Sequence, residues 1–562
     1  MRLVDARRLR GPTLGASGPG AIAEIALEEG ERPDVVIRAW RAALAGVLAW
    51  AGRGEVGRGL EVRRFDGGVA LFIPSPVDGV DATLDLLEWS VGYVAERTKG
   101  KGSPAALRAA SERFREALAA EASPGLVRLR AEAAERGIPS FVDDERVTFG
   151  HAARSHTYER RALPTAVPWR ELGAIPVALV TGTNGKTTTT RMVARIAKHA
   201  GLVPGNTSSD GIAIGERIVE RGDNTGGESA RAVLRDPRVQ IAILETARGG
   251  LLRRGLAVTD VDAALITNVS EDHLGEHGVL DLDTMRETKA VVGHAVKKGG
   301  KVVLGADDAG LRAMAKSFRA ERVLFAIDPR SVRAHLRAGG HAFTVERGVL
   351  VHRGPKRREE IVRVVDVPVT DGGRALHNVK NALAAAALAW SLGLPTRAIA
   401  EGLRSFGEKR GDNEGRGQLA LTDDGVRVLL DFGHNPAAAT HLYAWARSLA
   451  GDARVLAVLT QPGDRTDAAI EAFVRSVVDA GARTIVAWER ESLRRGREAG
   501  EVVRAITRAA RQVARGVRVV HASDEADAIG RAVALAKRGD VIVVSPSLDR
   551  RLPISARRTR RA

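Results

Sequence analysis

At 562 residues the chain is too long for one hydrophobic core, since cores stop growing at roughly 250–300 residues, and two to four domains are expected. Its 44% hydrophobic and 28% charged residues fit a globular protein; with no apolar run of ~18 residues and no apolar leader in "MRLVDARRLRGPTLG", no membrane span and no secretory signal are expected, and the lack of cysteine excludes disulfides and thiolate chemistry and suits a cytoplasmic protein. The net charge of +17 fits either Arg-rich solvated faces or a preference for polyanions, but 4% aromatics are too few to interleave with basic patches, so no nucleic-acid partner is expected.

Helix and strand patterns alternate at the start. "DVVIRAWRAALAGVLAWAG" carries apolar residues at helical spacing, and "GGVALFIPSP" predicts a strand ending in a turn. Residues 84–140 predict mostly helix, with "LRAASERFREALAAEA" amphipathic, whereas 141–170 has no clear period. From 171 the pattern changes. "IPVALVTG", "VQIAILETARGG", "VDAALITNVSEDH" and "GGKVVLGADD" are apolar strands with polar residues at their ends, separated by helices. That alternation implies a doubly wound parallel sheet, whose ligands sit at the carboxyl ends of the strands. Asp307 and Asp308 read as turn residues without a role. "HNVKNALAAAALAWSL" is a strong helix signal. A second strand series follows in "VRVLLDFGHNP", "ARVLAVLTQPGDR", "ARTIVAWER" and "GDVIVVSPS". The last stretch, "LDRRLPISARRTRRA", reads as a solvated basic tail. The expected architecture is α/β in three domains: a small α/β domain with a helical connector over 1–170, a central phosphate-loop domain with the doubly wound sheet over 171–410, and a Rossmann-like domain over 411–562.

The stretch "PVALVTGTNGKTTTT" carries the first chemistry. A strict phosphate loop has Gly five residues before its Gly-Lys pair, where this chain has Val180. The loop physics is kept. Gly182 and Gly185 let backbone N–H groups approach phosphate, with Thr183, Asn184 and Thr188 beside them. Lys186 supplies a point charge to the terminal phosphates, and Thr187 opens the next helix with a hydroxyl suited to Mg²⁺. Downstream, Glu245 ends one strand, and Asn268, Asp272 and His273 follow the next. A carboxylate and an imidazole from neighbouring strand ends make a plausible Mg²⁺ site, because magnesium takes few protein ligands and keeps water or phosphate in the rest.

In their order, "TGTNGKTTT", Glu245, "NVSEDHLG", "HNVKNALAA", "DFGHNP" and "PGDR" make residues 171–562 resemble the ATP-dependent Mur ligases and their relatives, folylpolyglutamate synthetase and cyanophycin synthetase. "LETARGGLLRRGLAV", "SSDGIAIGERIVERGDNTGGESARAVLRDP" and "RRGREAGEV" look most similar to the Mur-like half of cyanophycin synthetase, and "RRLRGPTLG" to its N-terminal domain. "RLRAEAAERGIPSFV" resembles the segment that leads into that enzyme's ATP-grasp module, yet here it runs within about twenty residues into the Mur-like part, so the resemblance implies that this module is missing.

The resemblance implies an ATP-dependent, ADP-forming ligase that activates a carboxylate as an acyl phosphate and joins it to an amine. It assigns Lys186 to the terminal phosphates, and Thr187, Glu245 and His273 to the metal. Lys289 matches a lysine that some members carbamylate for a second Mg²⁺, the bland reading being a plain surface helix lysine. It further assigns Asn378 and Asn381 to adenine, Arg416 to ATP phosphate, Asp431 to ribose with His434 beside it, and Asp464 and Arg465 to the same cleft. Polar runs expected in loops, Thr207 to Asp210 with Asp223, Thr225 and Ser229, are substrate candidates. So are Arg248, Arg253 and Arg254, which suit a substrate rich in carboxylates, unless they simply pack in loops. The implied partners are an acidic amino acid or peptide and an amino acid or amine; homo-oligomerisation stays open. Alternatives are a cell-wall or folate-type ligase, against which the N-terminal domain argues, and a non-catalytic ATP-binding scaffold subunit, against which Lys186, Glu245, His273 and Arg416 argue.

Overall fold

Alternation of apolar residues decides how the largest sheet of this chain is covered. In the strand Val177–Thr181, Val177 and Leu179 face one core while Ala178 and Val180 face another, as a two-residue side-chain period requires. The first core is closed by the helices Gly227–Arg235, Arg248–Arg254 and Leu282–His294. The second is closed by Lys186–His199 and Leu376–Ser391, the latter lined by Ala382 to Ala389. A parallel sheet with helices on both faces is the result.

The computed structural model describes residues 1–98, 103–271, 275, 277–409 and 411–547. His273 and Asp272, and the basic tail beyond residue 547, lie outside them. The largest sheet has 11 strands in the order Arg217–Arg221, Gly211–Ile214, Pro204–Ser208, Ile241–Glu245, Val177–Thr181, Val261–Ile266, Val296–Gly305, Glu321–Ala326, His341–Glu346, Val349–Arg353 and Arg358–Arg363. Neighbours are parallel from Pro204–Ser208 through His341–Glu346. Antiparallel hairpins extend both edges, an addition to the purely parallel sheet expected from the sequence. Thr207 and Ser208, expected in a loop, belong to a strand, because Pro204–Ser208 pairs on both sides.

A six-stranded sheet lies between residues 418 and 545, with one antiparallel edge pair and the remaining neighbours parallel. The N-terminal sheet is four-stranded and antiparallel, ordered Arg2–Leu9, Gly20–Ala26, Gly68–Pro74 and Glu61–Phe65. The helices Pro33–Trp50 and Val80–Thr98 cover it; buried Trp40 donates its Nε1–H to Ser90 Oγ at 2.9 Å. The stretch 141–170, read as lacking a period, holds a three-stranded antiparallel sheet of Ser140–Val142, Arg146–His151 and Arg154–Glu159. Arg146–His151 is buried along nearly its whole length and Arg154–Glu159 is largely exposed, so neither alternates, and the tight turn at Ala152 has positive φ without a glycine at that position to announce it. No helix among the described residues is long and apolar enough to cross a membrane.

Two buried histidines make this fold acid-sensitive. Burial pushes His151 and His352 down to about 4 from an ordinary 6.5, and His341, 3.1 Å from His352, lowers the latter further. Unfolding releases both into water, where they bind protons more readily. Between pH 6.5 and 4 the unfolded chain therefore holds more protons, and stability is lost as pH falls through that window. The melting temperature is expected to drop between pH 7 and 4.5, with a shallower slope in His151→Gln. Equal slopes in the two proteins would contradict it.

Candidate active site

The strand Val177–Thr181 ends in the loop that opens the helix Lys186–His199. Two glycines set its path. Gly182 (φ 146°) and Gly185 (φ 85°) have positive φ, and a Cβ would collide with Thr267 Oγ1 at the first and with Asn381 Oδ1 at the second. The loop is tied to the neighbouring strand end. Asn268 accepts from the Asn184 N–H at 3.0 Å and donates to the Asn184 carbonyl at 2.9 Å, and Thr183 exchanges hydrogen bonds with the Ser270 backbone. Lys186 Nζ curls onto the Thr183 carbonyl at 3.1 Å, as a side chain held over the loop would.

The Thr187 hydroxyl donates to Glu245 Oε2 at 2.8 Å and lies 3.2 Å from Ser209 Oγ. Glu245 is the last residue of the strand Ile241–Glu245 and is buried. Burial raises its pKa, and Lys186, Arg416 and the Thr187 hydroxyl offset this only in part. A carboxylate left short of positive charge, beside a hydroxyl oxygen, fits a hard divalent cation. Among the described residues no group of three or more His, Asp or Glu is arranged to hold a metal alone, so water and phosphate would complete such a shell.

The residues 411–547 close over this loop. Arg416 Nη2 donates to Ser209 Oγ at 2.9 Å, pairs with Asp210 at 3.4 Å, and its guanidinium lies 5.3 Å from the Phe432 ring. The amides of Asn184 and Asn435 donate to each other's oxygens at 3.2 and 3.0 Å. Thr188 donates to Asn413 Oδ1 at 3.1 Å. Asp431 accepts backbone N–H groups of Gly417 at 2.8 Å and Gly433 at 2.6 Å, and Asp464 pairs with Arg495 at 2.6 Å.

A cavity of about 740 Å³ lies between these elements. Its wall brings together Gly182 to Thr188, Glu245, Asn268, Lys289, Asn378, Asn381, Arg416, Asp431, His434 and Asp464, with Thr225, Arg248 and Arg253 on the same surface. Lys289 is buried at 4% exposure, which removes the reading as a surface lysine. Arg248–Arg254 is a helix and not a loop. Among the described candidates, Thr207, Ser208, Asp210, Ser229, Arg254 and Arg465 stand off the wall. Asp210 pairs with Arg191 at 2.6 Å and with Arg416, and so holds Arg416 in place. Ser229 donates to Asn224 Oδ1 at 2.7 Å, and the Arg465 carbonyl accepts from Arg497 at 2.7 Å. Sequence reasoning missed Asn413, Thr267 and the Lys380–Asp307 pair at 3.1 Å, although Lys380 sits inside the quoted "HNVKN".

A family model described as Mur ligase middle domain matches residues 180–389, and one described as Mur ligase, glutamate ligase domain, matches 415–548. Cyanophycin synthetase of Trichormus variabilis is 37% identical over 381 residues, 67% of this chain and 42% of that protein. The chain thus spans less than half the length of the curated cyanophycin synthetases it matches. UDP-N-acetylmuramoylalanine–D-glutamate ligase of Paraburkholderia phymatum is 30% identical over 444 residues, 75% of this chain and 76% of that one. The solved structure of E. coli FolC in complex with DHPP and ADP superposes with a TM-score of 0.50 at 22% identity, covering 66% of this chain and 86% of that one.

Proposed function

Because the chain belongs to the Mur ligase family, we propose that it is an ATP-dependent, ADP-forming ligase that joins a carboxylate to an amine. The observation that carries this reading is the convergence of Lys186, the Thr187–Glu245 pair and Arg416 on one cavity wall. A carboxylate is a poor electrophile, and bringing it against a triphosphate juxtaposes two anions. Lys186 and Arg416 supply the neutralising charge from the lining of that cavity. The carboxylate oxygen then attacks the γ-phosphorus and ADP departs. The amine nitrogen attacks the resulting acyl phosphate, loses a proton, and the intermediate collapses to an amide and inorganic phosphate.

Thr187 and Glu245 would hold Mg²⁺, which supplies further positive charge against phosphate. The loop amides of Gly182 to Thr188 cradle the phosphates, with Asn268 holding the loop in shape. Asn378, Asn381, Asp431, His434 and Asp464 line the part of the cavity assigned to the nucleoside. The contacts Asn184–Asn435 and Thr188–Asn413 join residues 411–547 to the loop beside the cavity, and full closure there would exclude water from a hydrolysable acyl phosphate. Similarity to cyanophycin synthetase favours an acidic side chain or peptide as the carboxylate and an amino acid as the amine. Arg248 and Arg253 on the wall are suited to the extra carboxylates of such a substrate.

The test is ADP release with aspartate-, glutamate- or peptide-type acids crossed against amino acids. Release is expected only when an acid and an amine are both present, with one amide formed per ADP. Release stimulated by DNA, or unaffected by omitting the amine, would overturn the reading.

A further inference from the structure

The helix Arg248–Arg254 has seven residues and would be marginal alone, since isolated helices need roughly 12–15 residues even with favourable sequences. Its last carbonyls need donors, and all but one of those found come from the N-terminal domain. Thr13 Oγ1 donates to the Leu251 carbonyl at 2.8 Å, Arg7 Nε to Leu252 at 2.9 Å, and the Arg10 N–H to Arg254 at 2.9 Å. The helix supplies the remaining one itself, from the Gly255 N–H to Leu251 at 2.9 Å. Leu256 returns a bond to the Pro12 carbonyl at 2.9 Å. The backbones touch here: a Cβ on Gly255 would run into the Gly11 carbonyl, and one on Gly11 into that of Leu256.

The same domain grips a second piece of the cavity wall. Arg63 donates through Nη1 to the Gly278 carbonyl at 2.8 Å and through Nη2 to that of His277 at 2.9 Å. Buried Glu24, paired with Arg7 at 2.8 Å, lies 3.4 Å from His277 Nδ1. His277 lines the catalytic cavity, as do Arg248 and Arg253. Gly278 has φ +62°, and a Cβ there would press on Phe65 and on the Arg63 guanidinium. Arg7 thus touches both grips, one through Nε and the other through Glu24.

We propose that the N-terminal domain is a brace that shapes the carboxylate-substrate side of the cavity, with Arg7 and Arg63 as its positioning residues. It caps the helix that presents Arg248 and Arg253, and it holds the His277–Gly278 turn. The brace acts on the acidic substrate and not on ATP, because the phosphate loop is anchored by Asn268, Ser270 and Asn435, all outside this domain. The effect on turnover rests on the ligase reading above; the effect on local order does not.

Full-length Arg63→Ala and Arg7→Ala are compared with wild type by amide hydrogen exchange without substrates, and then by kinetics. Amides of 249–256 in Arg7→Ala, and of 277–279 in Arg63→Ala, are expected to exchange at least tenfold faster, with 182–190 unchanged. KM for the acidic substrate is expected to rise about tenfold, the loss expected when one substrate-side interaction of about 1.4 kcal/mol goes, while KM for ATP stays within twofold. Arg63→Lys, which keeps a single donor nitrogen in place of the two-nitrogen fork, should recover part of the loss, and Gly278→Ala should reproduce Arg63→Ala from the other side of the contact. Unchanged exchange at both grips in a folded variant overturns the brace. So does exchange that rises uniformly with a parallel loss of ATP affinity, which assigns these residues to overall stability. If wild type makes no amide, the ligase reading fails while the exchange result still decides the brace.

Discussion

Lys186→Ala is expected to reduce kcat for amide formation by about 100- to 1000-fold, the usual loss when one charge-stabilising donor is removed from an enclosed site. Lys186 Nζ makes a hydrogen bond to the Thr183 carbonyl, within its own loop. Deleting it leaves the loop's other anchors intact: Asn268 on Asn184, Ser270 on Thr183, and the Asn184–Asn435 pair. The melting temperature should therefore change by no more than a few degrees, in keeping with about 1 kcal/mol for a single hydrogen bond. Loss of turnover with retained folding separates a charge role from a structural one. Lys186→Arg should not rescue, because a planar fork cannot replace a point charge at the end of a glycine-shaped loop. Full turnover in Lys186→Ala would remove the loop from the chemistry.

Glu245→Gln is expected to act nearly as strongly, by about 100-fold on kcat at fixed metal, on the same principle of lost electrostatic preorganisation. The direction of its effect on folding is opposite to that of most buried substitutions. The Glu245 carboxylate is buried and its pKa is raised, so its ionised form costs stability in the unliganded protein at neutral pH. The amide keeps an oxygen to accept from Thr187, 2.8 Å away, without that charge. The unliganded variant should thus melt no lower than wild type. Its further rise in melting temperature on adding Mg²⁺ and ATP should largely vanish, because a ligand stabilises the fold only where its concentration exceeds its Kd. A variant with undiminished turnover and the wild-type response to Mg²⁺ would exclude Glu245 from the metal shell.

Much of this site is legible in order along the chain. The loop from Gly182 to Thr188 follows an apolar strand and opens a helix, and each of those signals is local. Glu245 reads as a strand end because the apolar run before it stops there. Other candidates resisted such reading. Asp210 and Thr225 look alike as polar residues near the expected cleft, yet one is spent on Arg191 and Arg416 while the other lines the cavity. The hairpins of 140–159 carry no legible period because Arg146–His151 is buried on both faces and Arg154–Glu159 is largely exposed, so neither alternates.

The sequence by itself determined the family, the α/β alternation, the glycine-shaped loop between Val177–Thr181 and Lys186–His199 and the residue types that meet there. These depend on periodicity and on chemistry written within a few residues of each other. Only the tertiary structure decided what faces what. Asn184 meets Asn435 across 251 positions, Arg416 meets Ser209 across 207, and Arg63 meets His277 across 214. No local pattern encodes such pairs, because they arise where separately formed sheets and helices bury their surfaces against one another, and the packing of those surfaces selects which polar groups find partners. That is why Lys186 could be named from a short stretch of chain, whereas the part played by Arg7 and Arg63 could not.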